Sequence, residues 1–236
     1  MLIEQQPGYV LHARAYRETS LLLECLTPDF GRIGVVARGV RGARGGALRA
    51  ALEPFQRLSL DLQRRGELAT LRSAEPTDRP LRMQGGTILV GLYLNELVTR
   101  LCPRDDPHPG IYATYRQTLV RLVAGEPAGW TLRRFERDLL AELGYALALD
   151  VSADSGERLD PEAWYRYQPE DGLWPSAAKF PQAVQGADLL ALAEDRPPAA
   201  DGHVRLRRMM RDIIRAQLGG GELHAWAVLA AMWRPG

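Results

Sequence analysis

Phe55-Gln56-Arg57-Leu58-Ser59-Leu60-Asp61-Leu62 alternates apolar and polar side chains at period two, the pattern of a strand with one buried and one wet face. Downstream, Arg65-Gly66 turns the chain into a second short run, Leu68 to Leu71. Upstream, Arg32-Ile33-Gly34-Val35-Val36-Ala37-Arg38 reads as another strand. Ser20 to Leu26 is a near-continuous apolar run ended by the turn Thr27-Pro28-Asp29-Phe30-Gly31. Gly8-Tyr9-Val10-Leu11-His12-Ala13 makes a fifth. Five short strands separated by turn signals fit a small closed barrel, and a five-stranded Greek-key barrel of this size is the OB-fold.

From Leu81 onward the period becomes helical. Ile88, Leu92 and Leu97 to Leu101 belong to one long apolar stretch, stopped by Cys102-Pro103, and a second helix runs from Ile111 to Ala124. Leu132, Phe135, Leu139 and Leu143 follow a 3-4-4 spacing, with Gly144 placed to end that helix. Arg133, Arg134 and Arg137 fall off that stripe. Residues 150–180 are irregular, acidic and aromatic. Within them Trp164-Tyr165-Arg166-Tyr167 and Leu173-Trp174 flank Glu170-Asp171-Gly172 as a β-hairpin. Val204 to Leu218 is an amphipathic helix, with Leu206, Met209, Met210 and Ile213 on one face and Arg205, Arg208, Arg211 and Arg215 opposite. Leu223 to Trp233 is a last short helix. The expected fold class is α+β: an OB-fold barrel over residues 1–78, then a mainly helical domain over 79–236, with the boundary near Glu75-Pro76.

Of the 30 basic residues among 236, 29 are Arg, and Lys179 is the single Lys. A Walker A loop needs a lysine in its Gly-rich turn, and Lys179 has no such turn around it. Its Pro-flanked, acidic surroundings give no reason for the depressed pKa of a Schiff-base lysine. His12, His108, His203 and His224 are scattered without metal-ligand spacing, and Cys25 and Cys102 match no metal or redox motif. No nucleophile elbow or dinucleotide fingerprint is found. The expectation is a binding protein, not an enzyme, with no cofactor and no metal. Two cysteines cannot build a disulfide framework, and there is no signal-like N-terminus or membrane-length apolar run. Both features point to the cytoplasm.

The net charge of +1 hides a segregated distribution: +3 over residues 1–75, +1 over 76–147, −7 over 148–202 and +4 over 203–236. Segregation of this kind points to a polyanion-facing surface. The Gly-rich loop between the third and fourth strands, Arg38 to Arg49, has four Arg (Arg38, Arg41, Arg44 and Arg49), and with Arg32 of the third strand there are five Arg and no acid from Phe30 to Leu52. Such a loop can wrap a phosphate backbone, each guanidinium bringing charge and a donor fork; equally it can be a solvated loop without a ligand. Only Tyr9, Tyr16, Phe30 and Phe55 are aromatic before residue 76. DNA binding by the barrel is therefore expected to rest on phosphate contacts, salt-sensitive and indifferent to sequence. Arg133, Arg134 and Arg137, with Leu140 beside them, offer charge and an apolar anchor to an acidic-apolar peptide; the plainer reading is an ordinary amphipathic helix with a wet Arg face.

Taken in order, several segments resemble the RecO family of bacterial DNA-repair proteins: Val10-Leu11-His12 with Glu18-Thr19-Ser20-Leu21, Gly31-Arg32, Val36-Ala37-Arg38-Gly39, Leu52-Glu53-Pro54-Phe55 and Leu71-Arg72-Ser73-Ala74-Glu75, then Gly91-Leu92-Tyr93-Leu94-Asn95-Glu96-Leu97, Leu132-Arg133-Arg134-Phe135-Glu136 and Leu143-Gly144-Tyr145. The resemblance implies an OB-fold followed by a helical region and no bond chemistry. It further implies binding of single- and double-stranded DNA, annealing of complementary strands, and docking of the C-terminal tail of single-stranded DNA-binding protein. With the partner RecR, such proteins help load RecA on coated strands, a role in the nucleoid. By this carry-over Arg32, Arg38, Arg41, Arg44 and Arg49 are DNA-contact candidates, and Arg133, Arg134, Arg137 and Leu140 tail-binding candidates. A protein-interaction adaptor, its barrel binding a protein in place of nucleic acid, is the alternative. Many family members carry a four-Cys zinc module after Leu-Gly-Tyr; here Ser152-Ala153-Asp154-Ser155-Gly156 has Ser at both first ligand positions, and Trp174-Pro175-Ser176-Ala177-Ala178 lacks the second pair. The family's Lys-Ser-Arg after the last Gly turn is replaced by His224-Ala225-Trp226, which removes its cations from any anion contact there.

Overall fold

The computed structural model describes residues 1–43 and 45–232, which form two compact units. The first comprises residues 1–124 together with the chain from Leu223; the second comprises Gly125–Glu222.

The first unit is built on a closed barrel of β1 (Leu2–Tyr16), β2 (Ser20–Thr27), β3 (Gly31–Ala37), β4 (Arg57–Arg65) and β5 (Leu68–Pro76), in the order β1-β2-β3-β5-β4. β1 is longer than the expected Gly8–Ala13 because it serves two neighbours. Its first half pairs with β4, its second half with β2, and the register shifts between Ile3 and Gln6 and again between Val10 and His12. Such bulges bend a strand and let a sheet close on itself. At the first, Gln5 has φ 53° and its amide donates to Asp61 Oδ1 at 2.8 Å. Ser73 Oγ donates to the same carboxylate at 2.6 Å, and these two donors hold the Asp61 pKa below the usual carboxylate range. The period-two residues Leu58, Leu60 and Leu62 all point inward, joining Val10, Leu23, Cys25, Ile33 and Val35 in one core. Burial pushes the Cys25 thiol up to about 12, so it packs as a small apolar group.

The loop after β3 is shorter and more ordered than a free Gly-rich segment. It contains α1 (Gly46–Ala51), whose Leu48 packs on the barrel core between the buried Val40 and Leu52. The amide of Arg41 donates to the carbonyl of Thr19 at 2.8 Å, tying the loop to the β1–β2 turn. A Cβ at Gly45 would lie 2.2 Å from the carbonyl oxygen of Val40, so only glycine permits this return.

Two helices, α2 (Gly86–Leu101) and α3 (Pro109–Val123), complete the barrel unit. Their attachment is polar as well as apolar: Tyr115 donates from its hydroxyl to Asn95 Oδ1 at 2.6 Å, and Asn95 Nδ2 donates to the carbonyl of Leu11 at 2.9 Å, all buried. Tyr9 packs edge-on against Tyr115, ring centroids 5.1 Å apart. The last helix, α7 (His224–Met232), returns to α2, where the Glu96 carboxylate accepts from the amides of His224 and Ala225 at 2.8 Å each. The N-terminus of α7 is thus already occupied by an anion of the chain itself.

In the second unit, α4 (Ala128–Glu142), β6 (Trp164–Gln168), β7 (Gly172–Ser176), β8 (Val184–Gln185), α5 (Gly186–Ala193) and α6 (Ala200–Gln217) enclose a core of Trp130, Leu140, Tyr165, Leu173, Leu189, Leu206, Met210 and Ile213. The sheet order is β7-β6-β8, with the expected hairpin at its centre. The residues of the zinc-module segment do not fit a metal. Ser152 donates from Oγ to Asp154 Oδ1 at 2.6 Å, while the amides of Ser152 and Gly156 close the turn on the carbonyls of Glu157 and Ser152. Hydroxyls engaged in this way make poor zinc ligands beside thiolates.

Gly31, the first residue of β3, has φ 63°, and a Cβ there would meet the carbonyl oxygen of Asp106 at 1.9 Å. Gly31→Ala is expected to destabilise the protein by about 2 kcal/mol or more, read as a lowered urea midpoint.

Candidate nucleic-acid interface

A barrel strand sends alternate side chains outward, and strand pairing decides which of them meet. β3 and β5 run parallel with Val36 opposite Thr70, and β5 runs antiparallel to β4 with Thr70 opposite Gln63. Two residues further along each strand, on the same outer face, stand Arg38, Arg72 and Arg65. The structure brings these three guanidinium groups together with Gln63 and Thr70 around a depression of about 470 Å³. All three arginines are exposed, none of the five lining side chains is a carboxylate, and the nearest engagement is a long Arg72 Nη1 to Gln63 Oε1 hydrogen bond of 3.4 Å.

Of the five loop candidates, Arg38 is therefore part of a wider cationic face. Arg41 is exposed beside the β1–β2 turn, its Nη1 donating to the Arg17 carbonyl at 3.4 Å, and Arg17 itself lies over the Tyr16 ring. Arg49 is exposed on α1. Arg44 lies outside the described residues. Arg32 is turned into the fold, where it donates to Glu24 Oε2 at 2.7 Å and to the Cys102 carbonyl at 2.9 Å, so it fixes β3 and offers no surface to a ligand. Arg65 and Arg72 were not singled out from the sequence. Their outward phase on alternating strands was the available signal; their meeting with Arg38 depends on a parallel pairing that the sequence does not display. The barrel aromatics do not join this face as a group: Tyr9 and Phe55 are buried and Phe30 packs against the core.

On α4 the candidates fare differently from one another. Leu140 is a core residue at 1% exposure. Arg133, expected on a wet face, is buried and pairs at 2.5 Å with Glu136 one turn along the helix. Arg134 and Arg137 come together on Asp195: Arg134 donates to both carboxylate oxygens, at 2.8 and 2.5 Å, and Arg137 to one at 3.2 Å. Arg134 also reaches Glu126, and Arg137 reaches Asp138 and the Leu192 carbonyl at the end of α5. Positive charge still accumulates where α4 meets α6. Partial burial, then the like charges of Arg133, Arg208 and Arg211, push the Arg207 pKa below its ordinary value.

Two family models match, described as Recombination protein O N terminal over residues 1–80 and Recombination protein O C terminal over residues 82–227. The chain belongs to the RecO family. Among RecO relatives, a protein of Xanthomonas oryzae pv. oryzae (strain PXO99A) named DNA repair protein RecO is 49% identical over 239 aligned positions, covering 99% of each chain. One of Stenotrophomonas maltophilia (strain K279a), with the same name, is 47% identical over 233 positions and 97% of each chain. The RecO barrel is the closed five-stranded unit above. Among the described residues no group of three or more His, Cys, Asp or Glu side chains is placed to hold a metal ion, and no helix is long and apolar enough to cross a membrane.

The two adjacent arginines of α4 should separate in a stability measurement. Arg133→Ala removes a buried cation facing Glu136 and is expected to cost about 3 kcal/mol or more. Arg134→Ala breaks pairs whose acidic partners are half exposed and is expected to cost about 1 kcal/mol or less. Urea unfolding of the two variants checks the difference.

Proposed function

We propose that this RecO protein acts in DNA repair by capturing DNA on the outer face of β3, β5 and β4, without catalysing bond chemistry. The observation that carries the reading is the convergence of Arg38, Arg65 and Arg72 on a carboxylate-free depression of the barrel. Guanidinium groups gathered on one face bind phosphates, and by lowering the repulsion between two strands they favour annealing. With no barrel aromatic joining that face, capture there is ionic and blind to sequence. Arg41 and Arg49, exposed on the adjoining loop, extend the cationic track.

The family supports two finer roles: docking of the C-terminal tail of single-stranded DNA-binding protein, and loading of RecA together with RecR. For the tail, the support from this chain is the cationic field of α4 and α6, with Arg134, Arg137 and Arg207 in place of the inward-turned Arg133. An acidic peptide would share these cations with Asp195 or displace it. Leu140, being in the core, supplies no exposed anchor, so the apolar part of the peptide would need another contact.

Replacing Arg38, Arg65 and Arg72 together by Ala should weaken binding to an oligonucleotide at least tenfold at low salt and reduce the slope of log affinity against log salt by about 2 to 3. An unchanged slope would falsify the barrel-face assignment. For the tail, Asp195→Ala is expected to raise affinity for an acidic-apolar peptide several-fold and Arg134→Ala to lower it. Isothermal titration with the peptide reads both, and equal affinities in all three proteins would remove the site.

A further inference from the structure

The hairpin of the second unit has a wet face that the capture of phosphates does not use. Cross-strand pairing sets Arg166 opposite Trp174, Trp164 opposite Ser176 and Gln168 opposite Gly172, so these side chains share one side of the sheet. The other side, with Tyr165, Leu173 and Val184, is core. On the wet side Trp174 is 37% exposed, and Phe180, a few residues beyond β7, is 46% exposed. Phe180 lines a shallow depression of about 530 Å³ with Arg166, Gln168, Pro175, Ser176 and Ala177.

Arg166 links the two exposed rings: it stands opposite Trp174 on the hairpin and lines the depression with Phe180. A cation stands beside each of the two rings. Arg166 stands opposite Trp174, the Lys179 ammonium lies 5.8 Å from the Phe180 ring centre, and Arg205 lies 5.3 Å over Trp164. Arg208 donates to the carbonyl of Pro181, a neutral acceptor. Residues 148–202 carry a net charge of −7, and three of their eleven acidic side chains are held by arginines: Asp188 by Arg205, Glu194 by Arg158 and Arg196, and Asp195 by Arg134 and Arg137. Glu170 and Asp171 sit in the hairpin turn, and the six residues around the depression include no carboxylate.

We propose that this face is a stacking platform for unpaired bases of single-stranded DNA, with Trp174 and Phe180 against the bases and Arg166 and Lys179 toward the phosphates. Flat apolar rings set beside cations match a ligand that alternates flat bases with anionic phosphates. A duplex hides its base faces and gains nothing from the rings. The proposal rests on the nucleic-acid reading above and deepens it, dividing ionic capture on the barrel from selection of unpaired strands on the hairpin.

The test uses the full chain, an oligo-dT and a blunt duplex of the same length, each across a salt series. Trp174→Ala combined with Phe180→Ala should lower oligo-dT affinity by about fivefold or more, leaving the salt slope and the duplex affinity unchanged. Trp174→Phe should restore most of the affinity lost in Trp174→Ala, while removing part of the tryptophan quenching that oligo-dT produces in the wild type. Unchanged oligo-dT affinity in the double variant overturns the platform, as does an equal loss on oligo-dT and duplex. If the wild-type chain binds neither DNA, the nucleic-acid reading falls with it; if the wild type binds and the double variant binds equally, only the platform falls. Loss of binding to a protein partner with DNA binding intact also counts against it.

Discussion

The parallel pairing of β3 with β5 is the constraint on which the barrel unit depends. Three residue pairs, Gly34 with Leu68, Val35 with Ala69 and Val36 with Thr70, close the barrel between strands whose other neighbours are antiparallel. A parallel pair cannot be joined by a tight turn, so the chain between β3 and β5 must travel out through α1 and return along β4. That path brings Leu48, Val40 and Leu52 over the core and places the loop arginines at its rim. The same pairing fixes the phase of the outer face, where Arg38, Arg72 and Arg65 meet. A register slip of one residue would send all three toward the core, which the buried Leu60, Leu62, Ala69 and Leu71 forbid.

Charge is managed differently in the two units. The barrel unit gathers the exposed Arg38, Arg65 and Arg72 around a depression lined by no carboxylate and commits others, such as Arg32 and Arg104 on Glu24, to holding strands in place. In the second unit ion pairs tie helices together: Asp188 of α5 to Arg205 of α6, and Asp195, just after α5, to Arg134 and Arg137 of α4.

Strand and helix periods made most elements legible, since Leu58 to Leu62 and Leu132 to Leu143 state their burial directly. The first part of β1 was not legible, because Gln5, Gln6 and Pro7 lack strand character and are held by a bulge and by pairing with a distant β4. α1 was hidden because Gly45-Gly46-Ala47-Leu48-Arg49 has one apolar anchor, too few for a period. α5, at eight residues, is too short to show a face. Among site residues, charge signals solvent exposure for Arg38, Arg41 and Arg49. It fails for Arg133, whose signal was the Glu136 three residues on, a spacing that lets a helix bury both as a pair. Arg65 and Arg72 required the three-dimensional pairing itself.

The family models part the chain between residues 80 and 82, yet contacts part it after Ala124 and again before Leu223. The second unit is thus an insertion within the first, whose closing helix waits for nearly the whole chain. During synthesis, Glu96 emerges well before the amides of His224 and Ala225 that it will cap, and the exposed flank of α2 must persist until then. Closing a longer loop costs more entropy, though the cost grows only slowly with length. Loss of the contact between α7 and Glu96 should therefore surface as a folding defect of the unit that begins with the barrel.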